Sequence, residues 1–371
     1  MHRIFSDRVF IRVSLQLWLG ILIAVFTARA QQSQFATLVG HIVDDSTSTP
    51  LGNVNVYIAN TTLGANTNES GRFEIRNIPP GSYDVVASRI GYLFFTVRVH
   101  LRDPQKKEID IRLKPSNVEL NEVVVSAADP AEWRSQLHQF DEYFIGLSKN
   151  ARECRITNPE VLDFKAGQGD LFEATARKPL EIENLALGYH IQFYLATFRV
   201  QNETMKFEGL PKFTELVHAS AKEEKRWKEN RMAAYRGSLR HFLSSLFNRR
   251  LRDDGFAISQ IDFLELHGVS SARKVVTEDD VLYPSSWPTQ KTLRFGGLLE
   301  VEYRGDVEDG FNLLRKPGSM WQISWLALNY YSVAISERGD ISEPFPTKTY
   351  GYWSWRRVAD MLPLDFEPEK K

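Results

Sequence analysis

Gly40-His41-Ile42-Val43-Asp44, Pro50-Leu51-Gly52-Asn53-Val54-Asn55-Val56, Thr67-Asn68-Glu69-Ser70-Gly71-Arg72-Phe73 and Ile78-Pro79-Pro80-Gly81-Ser82-Tyr83 decide how the N-terminal part of the chain folds. Apolar side chains recur there at every second position: Leu38 and Ile42, Val54, Val56 and Ile58, Phe73 and Ile75, Tyr83, Val85 and Ala87. The pattern continues through Val97, Val99 and Leu101 to Ile109, Ile111 and Leu113. A period of two belongs to strands that hide one face. The turns between them are equally explicit, because Gly71 suits the left-handed corner of a hairpin and Pro79-Pro80-Gly81 fixes φ before a reversal. Short strands at this spacing predict an antiparallel β-sandwich over residues 36–114.

The same four segments resemble a carboxypeptidase-like regulatory domain. The resemblance implies a transthyretin-like, Ig-like β-sandwich, found as an accessory beside carboxypeptidases and at the start of many Gram-negative envelope proteins. It implies no activity, since a fold carries function only through a site. Residues 115–128 continue the chain as a linker or pairing strand. Within them Glu119-Leu120-Asn121-Glu122-Val123-Val124-Val125-Ser126 is similar to the segment that joins such modules to the plug of TonB-dependent receptors, so Glu122, Val123, Val124 and Val125 are the candidate partner strand. The C-terminal residues beyond it are too few for a plug and a large outer-membrane barrel together.

Arg3, Arg8 and Arg12 precede an apolar run from Val13 to Thr27, closed by Ala28-Arg29-Ala30. This describes a secretory signal over residues 1–30 rather than a membrane span, and predicts an exported chain beginning at Gln31. Export points to the periplasm, with outer-membrane association or secretion as alternatives, and no later segment is apolar enough to span a membrane. Without its leader the chain would carry 42 Lys and Arg against 46 Asp and Glu, a net charge of −4, which argues against a nucleic-acid partner. The single Cys154 cannot form an internal disulfide, so packing must hold the fold.

Residues 129–371 read as an α+β region. Asp129-Pro130-Ala131-Glu132 is a helix start, and Trp133, Leu137, Phe140, Phe144 and Leu147 form the apolar stripe of a helix ending near Ser148. Strand patterns come next at 161–164, 171–176, 180–183, 189–195 and 204–208. Ser220 and Glu223 open a second helical stretch that runs to about Asp254 and is interrupted at Gly237. Strands return at 292–303 and 321–335, and a short helix is expected before Pro363.

Residues 221–252 hold ten Lys or Arg against three Glu, the largest local charge asymmetry. Arg236, Arg240, His241, Arg249 and Arg250 are therefore the candidate ligand-binding residues, facing phosphates of lipid or lipopolysaccharide, with a solvated basic face as the plainer reading. Chemistry is otherwise scarce. No His has Glu three residues on, as a zinc carboxypeptidase requires, and there is no Gly-x-Ser-x-Gly elbow. His41, His100 and His138 have Asp at that spacing without an evident third ligand. Carboxylate pairs such as Glu181 and Glu183 share one strand face and could do acid and base work on a glycoside, though a solvated face explains them too. No catalytic residue, metal ligand or cofactor is assigned. The expected function is a non-enzymatic binding or scaffolding protein of the bacterial envelope, its partner an envelope protein or an anionic surface glycan or lipid. The competing expectations are a peptide or glycan hydrolase with an accessory domain, and peripheral membrane or lipopolysaccharide binding through the basic helix 221–252.

Overall fold

The computed structural model describes residues 35–101, 105–116, 130–167, 169–202, 204–262, 272–287, 289–305, 321–341 and 347–369. The expected leader and the candidate partner strand Glu122–Val125 lie outside the described residues. The N-terminal module contains β1 (Ala36–Asp44), β2 (Asn55–Ile58), β3 (Gly64–Asn66), β4 (Arg72–Ile78), β5 (Gly81–Ser88), β6 (Phe95–Leu101) and β7 (Lys106–Leu113). They form two sheets, β4-β1-β7 and β3-β2-β5-β6, enclosing Leu38, Ile42, Val56, Phe73, Ile75, Val85, Leu101 and Ile111. The β1–β4 pairing is closed by Gly71, whose φ of 73° is left-handed and whose added Cβ would meet Ile42 O at 2.4 Å. One pairing departs from the antiparallel expectation: β7 runs parallel to β1 along its whole length, because the chain passes from β6 in one sheet to β7 in the other.

A second core is built from the next stretch of chain. Helix α1 (Pro130–Phe144) lies on β8 (Cys154–Ile156), β9 (Leu162–Ala166), β10 (Phe172–Ala176), β11 (Leu180–Asn184), β12 (Tyr189–Gln201) and β13 (Thr204–Glu215). Strand β12 is the spine, paired with β11 in its first half, β10 in its second, and β13 throughout. Phe140 and Phe144 of α1 reach Phe198 and Phe193 at ring-centroid distances of 4.6 and 5.0 Å. The helix stops at Phe144, so Leu147, expected on its apolar stripe, falls beyond the helix and is exposed.

A third core begins after two helices, α2 (Ala221–Tyr235) and α3 (Leu239–Phe247). Gly237 divides them as the sequence implies, with a φ of 68° and a Cβ position only 2.7 Å from the Tyr303 ring. Strands β14 (Phe256–Ile261), β15 (Lys274–Val275), β16 (Leu282–Pro284), β17 (Gln290–Leu293), β18 (Leu298–Tyr303), β19 (Gln322–Leu328), β20 (Val333–Ser336) and β21 (Thr347–Gly351) complete the unit. Their sheets are β15-β14-β18-β19-β21 and β16-β17-β20. The single strand expected over 292–303 is thus two strands in different sheets, turned by Gly296-Gly297.

The last residues lace the three cores together. Instead of one short helix, the chain makes 3₁₀ turns at Tyr352–Trp355 and Val358–Asp360. Tyr352 and Trp353 enter the third core, while Val358 and Ala359 enter the second. Farther on, Leu364 N donates to Asn60 O of the module at 2.7 Å and Asp365 Oδ1 accepts from Thr62 N at 3.0 Å. Asp365 Oδ2 also takes a hydrogen bond from the Thr62 hydroxyl.

Candidate functional site

Strands β2 and β5 carry runs in which both faces are buried. Tyr57, Ala59 and Val86 point away from the module's own core and form a separate cluster with Tyr194 of β12 and Leu210 of β13. The Tyr57 ring is fully buried, and its hydroxyl donates to Leu210 O at 3.1 Å, which satisfies the polar end of an otherwise apolar contact. Burial pushes its phenol well above the ordinary range. Around this contact Asn60 N donates to Pro211 O at 2.7 Å and Phe213 N to Thr61 O at 3.0 Å, so backbone crosses the junction as a short parallel bridge. Ser88 Oγ and Tyr194 OH are 2.6 Å apart.

Beside the junction, β11, β12 and β13 present a polar row on the face opposite their core. Register sets Glu181 opposite Gln192, and Gln192 opposite Lys212. His190 Nε2 is 3.0 Å from Glu181 Oε2, and Gln192 Nε2 donates to Glu181 Oε1 at 3.0 Å. The hydrogen bond from His190 holds the Glu181 carboxyl down, and the same bond raises the imidazole, favouring the ion pair. Lys212 Nζ donates to Asn55 Oδ1 of the module at 2.7 Å, and its partial burial lowers the ammonium's pKa. Glu183 is held by Arg155 at 2.7 Å. The expected carboxylate pair is therefore two separate ion pairs rather than an acid and a base facing one substrate. Arg155, His190 and Lys212 share this face with Glu181 and Glu183, an arrangement of donors suited to recognising an anionic group.

The five candidate residues on the basic helices do not converge. Arg240 is half-buried, its Nε bonded to Arg338 O (3.1 Å), Nη1 to Pro363 O (2.7 Å), and Nη2 to Leu364 O and Phe366 O (2.6 and 3.0 Å). It clamps the C-terminal strap to α3. His241 accepts from Gly237 N through Nδ1 at 3.1 Å, among the rings of Tyr235, Phe256 and Tyr303. Arg249 pairs with Asp279 at 2.6 Å and Arg250 with Asp254 at 3.7 Å. Arg236 is half-buried at the end of α2. Farther up α2, Arg226 meets Glu153 at 2.6 Å and Arg231 meets Glu215 at 2.9 Å. Three of these cations, Arg226, Arg231 and Arg249, meet acids distant in sequence and Arg240 is taken up by backbone carbonyls, so the five candidates are not gathered into one ligand-facing cluster.

His190 and Lys212 belong to no motif, although their signal is present in the sequence: His190, Gln192 and Tyr194 alternate with the buried Tyr189, Ile191 and Phe193. His41, His100 and His138 are dispersed, and among the described residues no group of three or more His, Cys, Asp and Glu is placed to hold a metal ion. Among the same residues no helix is long and apolar enough to cross a membrane.

Residues 38–125 match the CarboxypepD_reg-like domain family. The N-terminal module is a CarboxypepD_reg-like domain. The match extends past β7 over the candidate partner strand and stops short of α1. No curated protein matches the chain. Among solved structures, it is similar to a type II cohesin-X-dockerin complex from Acetivibrio cellulolyticus, at 30% identity over 20% of this chain and 51% of that one, with a TM-score of 0.17. It is similar also to the group B streptococcus pilus 2b backbone protein, at 16% identity over 22% and 42% of the two chains, with a TM-score of 0.20. A putative membrane-associated protein of unknown function from Bacteroides fragilis matches at 13% identity over 50% and 84%, with a TM-score of 0.19. The chain spans about half the length of the cohesin-complex chain it matches.

Proposed function

We propose that the protein is a non-enzymatic binding protein of the bacterial cell envelope, exported to the periplasm, in which the CarboxypepD_reg-like domain is a fixed wall beside a polar sheet face. The ligand is an anionic surface glycan. The observation that carries this reading is the row Arg155–Glu183, Glu181–His190 and Lys212–Asn55, where three basic side chains gather beside two carboxylates and the module supplies one of the contacting groups. The charges of α2 and α3 support no comparable site, since their arginines do not share one face: Arg240 is bonded to the backbone of the C-terminal strap, and Arg226, Arg231 and Arg249 to acids on three different segments.

The row suits binding better than turnover. Glu181 and His190 neutralise one another on an open face, and a proton-transfer pair needs a substrate atom held within hydrogen-bond reach in a defined pocket. The test compares sedimentation of the protein with polygalacturonate and with its neutral methyl ester at low and high salt. Binding to the polyacid alone, weakened by salt and lost in a His190→Gln/Lys212→Met double variant, is the expected result. Equal binding to the ester, or hydrolysis of a peptide or glycan panel that depends on His190, would replace this reading with a different one.

A further inference from the structure

The small sheet β16-β17-β20 buries Leu282, Leu293, Val333 and Ile335 in the third core. Its register sets Tyr283 opposite Thr292, and the period of two carries Tyr283, Thr292 and Arg294 to the face away from that core. Arg294 N donates to Val281 O at 2.9 Å, which holds the residue beside the start of β16. Its guanidinium carbon lies 4.3 Å from the centroid of the Tyr283 ring and 5.4 Å from that of Tyr331, in the turn between β19 and β20. Both distances are those of cation–π contacts. Tyr283 is itself fixed, since its hydroxyl donates to Asp280 O at 3.1 Å. Tyr331 is the open member of the group, 79% exposed.

What Arg294 lacks is an acid. Among the described residues no carboxylate pairs with it, whereas Arg226, Arg231 and Arg249 each meet one. The groups that raise its pKa are tyrosines, first through a hydrogen bond with Tyr283 and then through the Tyr331 phenol. A guanidinium is charged at any working pH, so its charge depends on no titration here. It also has five N–H donors in a planar fork, a match for the two oxygens of a carboxylate.

We propose that Arg294, with Tyr283 and Tyr331, is a binding site for an acidic sugar, in which the guanidinium takes the carboxylate and the exposed Tyr331 ring takes the apolar face of the sugar. A carboxyl attached directly to a six-membered ring brings that ring beside Tyr331. An acidic peptide side chain carries its carboxyl on a flexible stem, and inorganic phosphate has no flat face, so both would use the guanidinium and leave the ring idle. The inference rests on the glycan reading for the class of ligand, and adds to it a contact point on the third core that shares no side chain with the polar row of the second.

The test is calorimetric titration of the wild type and of the His190→Gln/Lys212→Met variant, which lacks the row, with trigalacturonate, its methyl ester, triglutamate and inorganic phosphate. The row variant should keep saturable, salt-sensitive binding of trigalacturonate and bind none of the other three comparably. Adding Arg294→Lys, which keeps the charge and loses the fork, should weaken that remaining binding about tenfold. Adding Tyr331→Ala instead, at an exposed position that costs the core nothing, should weaken it about threefold. Circular dichroism checks the fold of each variant. Loss of all binding in the row variant would overturn this site and leave the row standing, whereas equal binding by wild type and row variant, lost with Arg294→Lys, would do the reverse. Unchanged affinity in folded Arg294→Lys, or no saturable binding by either protein, would overturn the proposal. Triglutamate or phosphate bound as tightly as trigalacturonate would replace the sugar with an acidic peptide or a simple anion.

Discussion

The two sheets of the CarboxypepD_reg-like domain have the same inner faces and opposite outer ones. In β4-β1-β7 the outward residues Arg72, Glu74, Arg76, Glu108, Asp110 and Arg112 of the two flanking strands are exposed, and those of the central β1 are half-buried. In β2 and β5 the alternation fails, since Tyr57 and Val86 are as buried as the Val56, Ile58, Val85 and Ala87 around them. Continuous apolar runs mark strands covered on both faces. The difference teaches that the module is docked by one sheet and open on the other, so its role in this protein includes bracing β12 and β13.

The largest effect is expected where the covered sheet is cut. Tyr57→Ala removes a fully buried ring and a hydrogen bond across the junction, and should cost about 3–5 kcal/mol in denaturant unfolding. Glu108→Ala on the exposed face of the open sheet should change stability by less than about 0.5 kcal/mol, and a cost as large as that of Tyr57→Ala would erase the contrast. Next comes the strap. Arg240→Met leaves the carbonyls of Arg338, Pro363, Leu364 and Phe366 without their donor and should cost about 2–4 kcal/mol, with early proteolysis after Met361 as its signature.

A smaller, pH-dependent effect is expected at Asp141. Burial raises its carboxyl to about 6 from an ordinary value of 3.8, and Oδ1 has no hydrogen-bond partner among the described residues. Between those values the folded state binds the proton more tightly than the unfolded chain, so this group's contribution to stability is present below the lower value and lost as pH rises through the upper one. Asp141→Asn should therefore raise Tm at pH 7.5 and leave it nearly unchanged at pH 4; a fall at pH 7.5 would show that the carboxylate is needed. The smallest expected signal is at Cys154, whose thiol burial pushes up to about 12. It should resist a thiol reagent at pH 8 until the chain is unfolded.

Much of the module was legible because its turns and its periodicity are local. Strand direction was not, since a period of two is the same for parallel and antiparallel pairing, and the sequence therefore gives no sign that β7 lies parallel to β1. Gly64–Asn66 escaped because three small or polar residues carry no apolar signal. In the C-terminal region the helices around Gly237 and strands β10 to β12 followed their patterns, whereas residues 352–366 are placed by contacts with Asn60, Thr62 and Arg240, far away in sequence. The basic cluster misled for the same reason: charge counted along a helix omits Glu153, Glu215 and Asp279, which the fold brings to it. The docking surface itself was written in Val54-Asn55-Val56-Tyr57-Ile58-Ala59 and Val85-Val86-Ala87, and was hidden by assigning each strand a single buried face.

The claim that one sheet of the module braces the rest of the protein is tested most directly by hydrogen exchange on the wild type and Val86→Asp. A charge at this buried junction position should accelerate exchange in β2, β5, β12, β13 and residues 363–366 together, while β1, β4 and β7 keep their protection. Exchange that rises only within the module, with β12 and β13 unchanged, would contradict the account.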